Sequence, residues 1–409
     1  MRTLLNFLFA LPFIVLIVII AVINARLLLG PSSTPSEAKL LKQLRSLKTQ
    51  INKGADEEMQ RLYPEGYVFL NALYGLAWCN YAKLTNHNED TYAESQLEIN
   101  SALRRLQSEK ARATFSKHLS PEHGAFYQGW TNYVLAKKLE IEPEESRRQE
   151  VIATFKANCD SIAKAFIEKT YPLSYGAAAW PADAAVCMAT LAKHDDLFGS
   201  KYEPIIQKWI DEVKDRYDEN SMIPHSVAAS NGKPTESARG SSQSLMLIFL
   251  TDIDNDFANQ HYEKFRQHFI DTSFGLTGIR EYPKGKSGFG DVDSGPVIFG
   301  YGAAATIVGM SALSVFDDPN ARLVSATVDA VGIPIESSSE RYYLLGFLPI
   351  ADAFIAWGQS VRLQEPSTKG SFVAFHLYSA VMLLILAAIV WIFIKPTKAD
   401  SAKALTIPW

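Results

Sequence analysis

The chain has few cysteines and lacks the sequence patterns that bind metals or nucleic acids. Its three cysteines, Cys79, Cys159 and Cys187, are an odd and sparse set that defines no disulfide framework. No His-x3-His pair or Cys/His cluster predicts a zinc site, and the sequence indicates no cofactor. The 40 basic and 44 acidic residues nearly balance, and no run of five or six basic residues occurs. Nucleic acid is therefore not an expected partner.

Long hydrophobic runs are present near both ends of the 409 residues. Residues 4–23 carry no charge, and residues 372–394 contain no Asp, Glu, Lys or Arg. Each run has about the 20 residues that a helix needs to cross a bilayer. We therefore expect four parts: an N-terminal transmembrane anchor (1–30), a globular domain (31–366), a C-terminal transmembrane helix (367–396) and a short basic tail (397–409).

Other interpretations of the two runs stay open. The first could be a cleaved signal peptide, although it is longer than the usual apolar core of a signal. The second could be a buried core helix, but Lys395, Lys398 and Lys403 follow it directly and resemble a cytoplasmic flank. Arg26 and Lys39 after the first run point the other way. Weighing the short C-terminal tail more heavily, we expect a two-pass membrane protein whose domain lies on the extracytoplasmic side.

Helical periodicity dominates the region between the two runs. Apolar residues recur at helical spacing in about twelve windows, among them 66–84, 295–314 and 341–360. Few segments alternate with period two for long enough to form a sheet. Twelve helices in one domain predict an all-α fold of six helical hairpins, an (α/α)6 toroid with inner helices around a central cavity. An open solenoid is the alternative, although no fixed-period repeat is visible.

Two connections between helices are unusually long, and such loops are often functional. The second, from Phe274 to Pro296, combines six glycines with Glu281, Tyr282, Asp291 and Asp293. This composition is typical of a shaped binding loop. Asp293 could equally cap a helix beginning near Pro296. Asp291 to Gly295 also resembles the opening of a calcium loop, but the later acidic ligands are missing.

The first long connection, from Tyr217 to Ala238, carries His225 and leads to Arg239. A histidine can act as an acid, a base or a hydrogen-bond donor at neutral pH, and an arginine can bind an anionic or polar substrate group. For any single histidine, however, an ordinary solvated loop residue is the favoured interpretation, and this holds for His225.

A third candidate segment lies around the Pro181 helix start. Pro181 suits the first turn of a helix, which places Trp180 and Asp183 near the positive helix terminus. A cap and a buried tryptophan are the simpler explanation.

The segment beginning at Phe126 places Tyr127, Trp130 and Tyr133 on one helix. Aromatic residues at this spacing usually belong to the core, and otherwise they form a wall on which a ligand stacks.

Residues from about Phe126 to Glu281 resemble the linalool dehydratase/isomerase family. The similarity runs through YQGWTNYVL, the Pro-Asp helix start, WIDEV, the Asn-Gly turn, YEKFRQHF and IREY, and continues weakly through the glycine-rich loop and RYYLLGF. The resemblance implies an (α/α)6 barrel with lyase or isomerase activity.

The family's catalytic residues are only partly matched. Its enzyme uses two cysteines flanking the Pro-Asp helix start and a histidine on the YQG helix. In this chain the corresponding places hold Ala or Met, Cys187 is one residue out of step, and Trp130 replaces the histidine. These departures argue against cysteine-based hydration of a terpene alcohol.

The leading hypothesis is a membrane-tethered enzyme that uses carboxylate or histidine acid/base chemistry, as a lyase, isomerase or hydrolase, on an uncharged or glycan-like substrate. The catalytic candidates are Asp183, Glu281, Asp291, Asp293 and His225, and the substrate-binding candidates are Tyr127, Trp180, Arg239 and Tyr282. The expected partner is a small-molecule, lipid or glycan ligand, and an oligomer is compatible with the sequence. The alternatives are a non-catalytic ligand- or partner-binding membrane protein and a structural scaffold.

Overall fold

A computed structural model of the chain describes residues 2–29, 36–85, 89–363 and 372–395. Residues 30–35, around the expected boundary between the anchor and the domain, and the whole basic tail (397–409), including Lys398 and Lys403, lie outside these residues. The described helices are α1 (Arg2–Leu29), α2 (Ser36–Asn52), α3 (Ala55–Leu62), α4 (Gly66–Leu84), α5 (Glu89–Leu106), α6 (Glu109–Arg112), α7 (Gly124–Ile141), α8 (Gln149–Glu168), α9 (Pro181–Phe198), α10 (Glu203–Lys214), α11 (Gly240–Ile253), α12 (Asn255–His268), α13 (Ala303–Val315), α14 (Asn320–Val331), α15 (Pro349–Val361) and α16 (Val373–Ile394).

Four two-stranded antiparallel hairpins occur in the loops of the described chain. They are formed by β1 (Ser226–Val227) with β2 (Pro234–Glu236), β3 (Ile270–Ser273) with β4 (Leu276–Ile279), β5 (Val297–Ile298) with β6 (Tyr301–Gly302), and β7 (Ile335–Glu336) with β8 (Arg341–Tyr342). They shape the connections between helices and form no common sheet.

Six helices form a closed inner ring. In chain order α4, α7, α9, α11, α13 and α15 each pack against the next, and α15 packs against α4. Asn80 on α4 donates from Nδ2 to Ser360 Oγ on α15 at 3.1 Å across the closure. Gly358 allows α15 to approach α13 closely, since a Cβ there would lie 2.5 Å from Ser311 Oγ. The last inner helix therefore packs against the first and closes the ring, which excludes an open solenoid.

The outer layer consists of α2, α5, α8, α10, α12 and α14, and each of these helices packs against at least one inner helix. Outer and inner helices alternate along the chain, so each hairpin contributes one helix to each layer. The fold is therefore all-α and of the (α/α)6 toroid type, as predicted. Because each outer helix precedes its inner partner, all six inner helices begin at the same end of the ring.

Aromatic side chains fill the centre of the ring. The fully buried Trp130 ring lies 4.7 Å from that of Phe69, 5.4 Å from Phe249 and 6.2 Å from Trp357, measured between centroids. These contacts join α7 to α4, α11 and α15. The aromatic segment on α7 thus belongs mainly to the core, the simpler of its two interpretations.

Two predicted helices begin later than their periodicity indicated. The windows at 295–314 and 341–360 correspond to α13 and α15, which begin at Ala303 and Pro349. Before α13, Phe299 and Gly300 have φ values of 52° and 86° and form the turn of the β5–β6 hairpin. A left-handed backbone interrupts a helix, so Val297 and Ile298 form strand β5 and Phe299 lies in the turn.

The two terminal helices form an antiparallel pair against the toroid. The Phe9 and Phe393 rings lie 6.2 Å apart at one end, and Asn24 Oδ1 accepts hydrogen bonds from His376 Nδ1 and Ser379 Oγ, both at 2.8 Å, at the other. Both helices are long and apolar enough to cross a membrane. Only 6% of the apolar window of α1 and 11% of that of α16 is buried, which does not fit a soluble core helix.

Replacing Trp130 by alanine tests the packed centre. We expect Trp130→Ala to lower the free energy of unfolding by roughly 3–5 kcal/mol, because it removes contacts to three other inner helices and leaves a cavity. Leu97→Ala on α5, where the side chain is 69% exposed, is the control and should change stability by less than about 0.5 kcal/mol. Thermal unfolding of the full chain in detergent measures both. Equal effects of the two substitutions would contradict the packed centre.

Candidate active site

The two long connections lie at the end of the ring where the inner helices begin. The first joins α10 to α11 and contains β1 and β2, and the second joins α12 to α13 and contains β3 to β6. Each leads from an outer helix into an inner one, so both belong to this end. Helix N-termini carry partial positive charge and unpaired N–H groups, which favour acidic side chains and polar ligands.

Three carboxylates meet at this end, and we call Glu65, Asp183 and Asp293 the acidic cluster. Glu65 precedes α4, Asp183 lies in the first turn of α9, and Asp293 lies in the glycine-rich loop. Tyr175 Oη donates to Glu65 Oε2 at 3.0 Å, and the charges of Glu65 and Asp293 both act on Asp183. The structure thereby brings two predicted candidates, Asp183 and Asp293, together with one residue that was not predicted.

Burial and mutual repulsion raise the pKa values of the carboxyl groups in the acidic cluster. Burial, together with the negative charges of Glu65 and Asp293, raises the pKa of Asp183 to about 7, although Ser174 and Trp130 oppose part of the rise. Burial also raises the pKa of Glu65, and partial desolvation and the charge of Asp291 raise that of Asp293. A carboxyl group with a pKa near 7 can both donate and accept a proton at neutral pH.

Arg239, Glu281, Asp291 and His225 form a second group, the arginine cluster. Arg239 Nε donates to Glu281 Oε1 at 2.8 Å and Nη1 donates to Asp291 Oδ2 at 2.6 Å. Ser241 Oγ also donates to Glu281 Oε1, at 2.7 Å. Arg239 thus ties the start of α11 to two points of the glycine-rich loop. Its charge also acts on Asp293, so the two clusters adjoin.

Buried polar atoms of the arginine cluster remain without partners. Arg239, Glu281 and His225 are 6%, 0% and 9% exposed. Arg239 Nη2, Glu281 Oε2 and His225 Nδ1 have no hydrogen-bond partner among the residues that the structure describes. A buried polar atom without a partner costs about 1–3 kcal/mol, so this group is disposed to bind a polar ligand.

The charge states within the arginine cluster differ. Burial and the neighbouring Arg239 lower the pKa of His225 to about 4, so its imidazole is neutral at pH 7. Burial raises the pKa of Glu281, and Arg239 opposes the rise. Although desolvation acts against it, hydrogen bonds from Arg239 and Ser294 hold the pKa of Asp291 well below its usual range. Asp291 is therefore a fixed negative charge.

The aromatic candidates lie in different places. The Trp180 ring packs at a tilt against that of Tyr175, with centroids 4.8 Å apart, and so lies beside the acidic cluster. The Tyr282 ring lies 5.6 Å from Arg239 Cζ, and its hydroxyl donates to Phe289 O at 2.9 Å. The Tyr127 ring contacts those of Phe115 and His123, with centroids 5.8 and 5.4 Å away. It lines a groove of about 980 Å³ between α5, α7 and α8, and its hydroxyl donates to Leu106 O at 3.0 Å.

The alternative interpretations of the glycine-rich loop receive no support. Asp293 caps no helix near Pro296, because α13 begins only at Ala303. Asp291 Oδ1 accepts from the backbone N–H groups of Asp293 and Ser294 at 3.1 and 2.8 Å, and Oδ2 accepts from Arg239. Both oxygens of Asp291 are therefore occupied within the protein. Among the described residues, no group of three or more His, Cys, Asp or Glu side chains could hold a metal ion.

The three cysteines do not form reactive thiolates. Cys79, Cys159 and Cys187 are free and buried. Burial raises the pKa of Cys79 to about 12 and that of Cys187 well above its ordinary value. Cys187 Sγ donates to Ala125 O at 3.3 Å within the core. These thiols are therefore inert.

Sequence reasoning missed Glu65 and Tyr175. Glu65 lies in the short turn Tyr-Pro-Glu-Gly between α3 and α4, which carries no pattern beyond that of a helix start. The general rule that all inner helices begin at one end could have found it, because each such start is a candidate once the six inner helices are known.

No protein-family model matches the chain, and no curated protein matches it. Among solved structures, the chain is similar to a family 105 glycoside hydrolase from C. acetobutylicum ATCC 824, with 10% identity and a TM-score of 0.45 over 71% of this chain and 92% of that one. It is also similar to a D-mannose isomerase, with 9% identity and a TM-score of 0.44 over 71% of this chain and 86% of that one. At these identities and TM-scores the likenesses do not bear on activity.

Gly240 controls the approach of the glycine-rich loop to α11. Gly240 N donates to Glu281 O at 2.8 Å, and a Cβ at Gly240 would lie 1.8 Å from Arg280 O. We expect Gly240→Ala to displace Glu281 and to destabilise the protein by roughly 1–3 kcal/mol through overpacking. Gly129→Ala, whose Cβ would meet Cys187 Sγ at 3.1 Å, should cost less. Thermal unfolding compares the loss of stability in the two variants. A Gly240→Ala protein as stable as wild type would contradict the close approach.

The pKa of Asp183 predicts a dependence of stability on pH. The folded protein holds this proton up to about pH 7, whereas the unfolded chain releases it near 3.8. Wild-type stability should therefore fall as pH rises between these values and level off above the upper one. Asp183→Asn removes this loss. The free energy of unfolding of the variant relative to wild type should therefore rise by roughly 2–4 kcal/mol between about pH 4 and about pH 8, because one pKa unit corresponds to about 1.4 kcal/mol. Unfolding at both pH values measures the gain, and a pH-independent difference would refute it.

Proposed function

We propose that this chain is a membrane-tethered enzyme that performs acid/base chemistry on an uncharged, hydroxyl-rich substrate at the joint acidic and arginine clusters. The observation that carries the proposal is that Asp183, with a pKa near 7, lies at the same end of the ring as a group of buried polar atoms that lack partners. Catalytic groups need pKa values near the working pH, and such values concentrate in active sites.

The free atoms of the arginine cluster favour hydroxyl groups. Arg239 Nη2 can only donate a hydrogen bond, Glu281 Oε2 accepts one when ionised, and neutral His225 can do either at Nδ1. A ligand that satisfies all three must both donate and accept, which a sugar or another polyol does. Arg239 is already neutralised by Glu281 and Asp291, so the cluster offers no spare positive charge for an anion.

The acidic cluster supplies the proton transfer in this proposal. Asp183 donates its proton to the substrate and recovers it, or works in the reverse order. Glu65 and Asp293 keep the Asp183 proton available by raising its pKa. Trp180 and Tyr175 offer aromatic faces beside the carboxylates for the apolar side of a ring. These roles correspond to hydrolase, lyase or isomerase chemistry, the classes expected from the sequence.

The proposal includes attachment to a membrane by both terminal helices. The apolar faces of α1 and α16 are exposed, with side chains such as Phe9, Val381 and Leu384 at 56%, 58% and 73%. Such a surface needs a nonpolar environment. Because the two helices are antiparallel, both chain ends would lie on the same side, and the basic tail would place them in the cytoplasm with the domain outside it.

We also propose a distant relation to the linalool dehydratase/isomerase family that extends to the barrel but not to its cysteine chemistry. Trp130 occupies the position of the family's histidine and is a core residue, and Cys187 is buried and protonated. In this chain, carboxylates would perform the proton transfer in place of the family's cysteines.

Turnover measurements test the catalytic proposal. The full-length protein in detergent would be incubated with a panel of neutral aldoses, β-glycosides, α-glycosides and isoprenoid alcohols, and products would be followed by mass spectrometry. Asp183→Asn and Glu65→Gln should each lower turnover by roughly 10²–10⁴-fold, the usual contribution of a general acid or base.

Asp352→Asn is the matched control. Asp352 also lies in the first turn of an inner helix, is 1% exposed and has a pKa raised to about 7 by burial. Its carboxylate is engaged by Gln43 Nε2 at 2.6 Å and by Gln50 Nε2 at 3.4 Å. This variant should keep turnover within about threefold of wild type, as expected for a residue outside the site. Retained turnover in Asp183→Asn would contradict the role proposed for Asp183, whereas binding of a panel member without turnover would favour a binding protein instead.

A further inference from the structure

Exposed apolar residues cluster at the tips of two hairpins beside α16. Phe274 at the β3–β4 turn is 51% exposed, and Ile298 and Phe299 at the β5–β6 turn are 61% and 71% exposed. The Phe274 and Phe299 rings lie 5.3 Å apart, so the two tips form one surface, the tip surface of Phe274, Ile298 and Phe299. Hairpin turns of soluble proteins normally carry polar residues, and a clustered apolar surface indicates a partner.

The tip surface is continuous with the terminal helix pair. The Phe274 ring lies 5.8 Å from that of Tyr378 on α16. Gly275 approaches the α16 backbone so closely that a Cβ would lie 2.2 Å from Phe375 N. Phe372 and Phe375 at the start of α16 are buried with Leu27 of α1 and Ala330 of α14. The hairpins therefore hold a fixed position at the end of the helix pair that faces the domain.

We propose that the tip surface lies in the interfacial region of the bilayer and is a third point of membrane contact, next to α1 and α16. This inference rests on the proposed membrane anchoring. Aromatic residues favour the membrane–water interface, and the tips lie where α16 leaves its apolar span towards the domain. A helix in the membrane at Tyr378 places Phe274, in contact with it, at the same depth.

The contact links the bilayer directly to the candidate active site. Gly300, at the β5–β6 turn, accepts a hydrogen bond at its carbonyl from Glu281 N at 3.0 Å. Glu281 is the fully buried partner of Arg239. The loop that carries Asp291 and Asp293 lies between Tyr282 and the same hairpin. Membrane contact at the tips would thus hold one wall of the site at the bilayer surface.

Site-directed spin labelling in lipid nanodiscs tests the contact. The native cysteines Cys79, Cys159 and Cys187 are at most 1% exposed, so an introduced cysteine carries the label. Ile298→Cys and Phe299→Cys report on the tips, Leu97→Cys on α5 is a water-exposed control, and Val381→Cys on α16 is the lipid control. Collision of the label with water-soluble nickel complex and with lipid-soluble oxygen is measured at each position.

We expect the tip labels to collide with the nickel complex at least about threefold less often than the label at 97, and with oxygen more often, as interfacial side chains do. If the tip labels collide with both reagents as often as the label at position 97 does, while the label at position 381 lies in lipid, this inference would be overturned and the anchoring would stay intact. A water-exposed label at position 381 would overturn both. Tip labels shielded from both reagents would indicate a protein partner or a second copy and would also overturn it.

Discussion

Closure of the inner ring by α15 against α4 is the constraint on which the rest of the structure depends. It brings residues from distant parts of the chain, such as Phe69, Trp130 and Trp357, into one aromatic core. The alternation of outer and inner helices places the starts of all six inner helices at one end, where the long connections collect. Because aromatic side chains fill the centre of the ring, the functional groups lie at that end. The candidate site is thus a consequence of the topology, because loops, helix starts and buried carboxylates coincide at that end of the described chain.

At the site, burial outweighs the helix dipole. A helix N-terminus stabilises a carboxylate by about 0.3–1 kcal/mol, which is less than one pKa unit. Asp183 lies in the first turn of α9, yet its pKa rises to about 7, because desolvation and two neighbouring carboxylates act together. The arginine cluster differs, since Asp291 is partly exposed and hydrogen bonds from Arg239 and Ser294 keep it ionised. Two carboxyl environments with pKa values driven apart are a frequent arrangement for acid/base catalysis.

The helices were largely predictable and the site only in part. The window at residues 66–84 matches α4, whose apolar composition follows from its position in the inner ring, where most of its residues are buried. Periodicity failed at residues 297–299, where a left-handed turn makes a hairpin from apolar residues. Asp183 was predictable from Pro181, which marks a helix start. Glu65 was not, since its proximity to Asp183 arises only when α4 and α9 join one ring. Tyr127 was placed with the site because periodicity does not tell which face of α7 meets the outer groove.

The central claim is that Asp183 exchanges a proton near neutral pH at the start of α9. Infrared difference spectroscopy of the full-length protein, wild type minus Asp183→Asn, isolates the carboxylic acid C=O band of this side chain, because the buried Asp352 is common to both. The account predicts a band present at pH 5 that disappears with a midpoint near the pKa of about 7. A difference spectrum without that band at pH 5 would show an already ionised Asp183 and contradict the account.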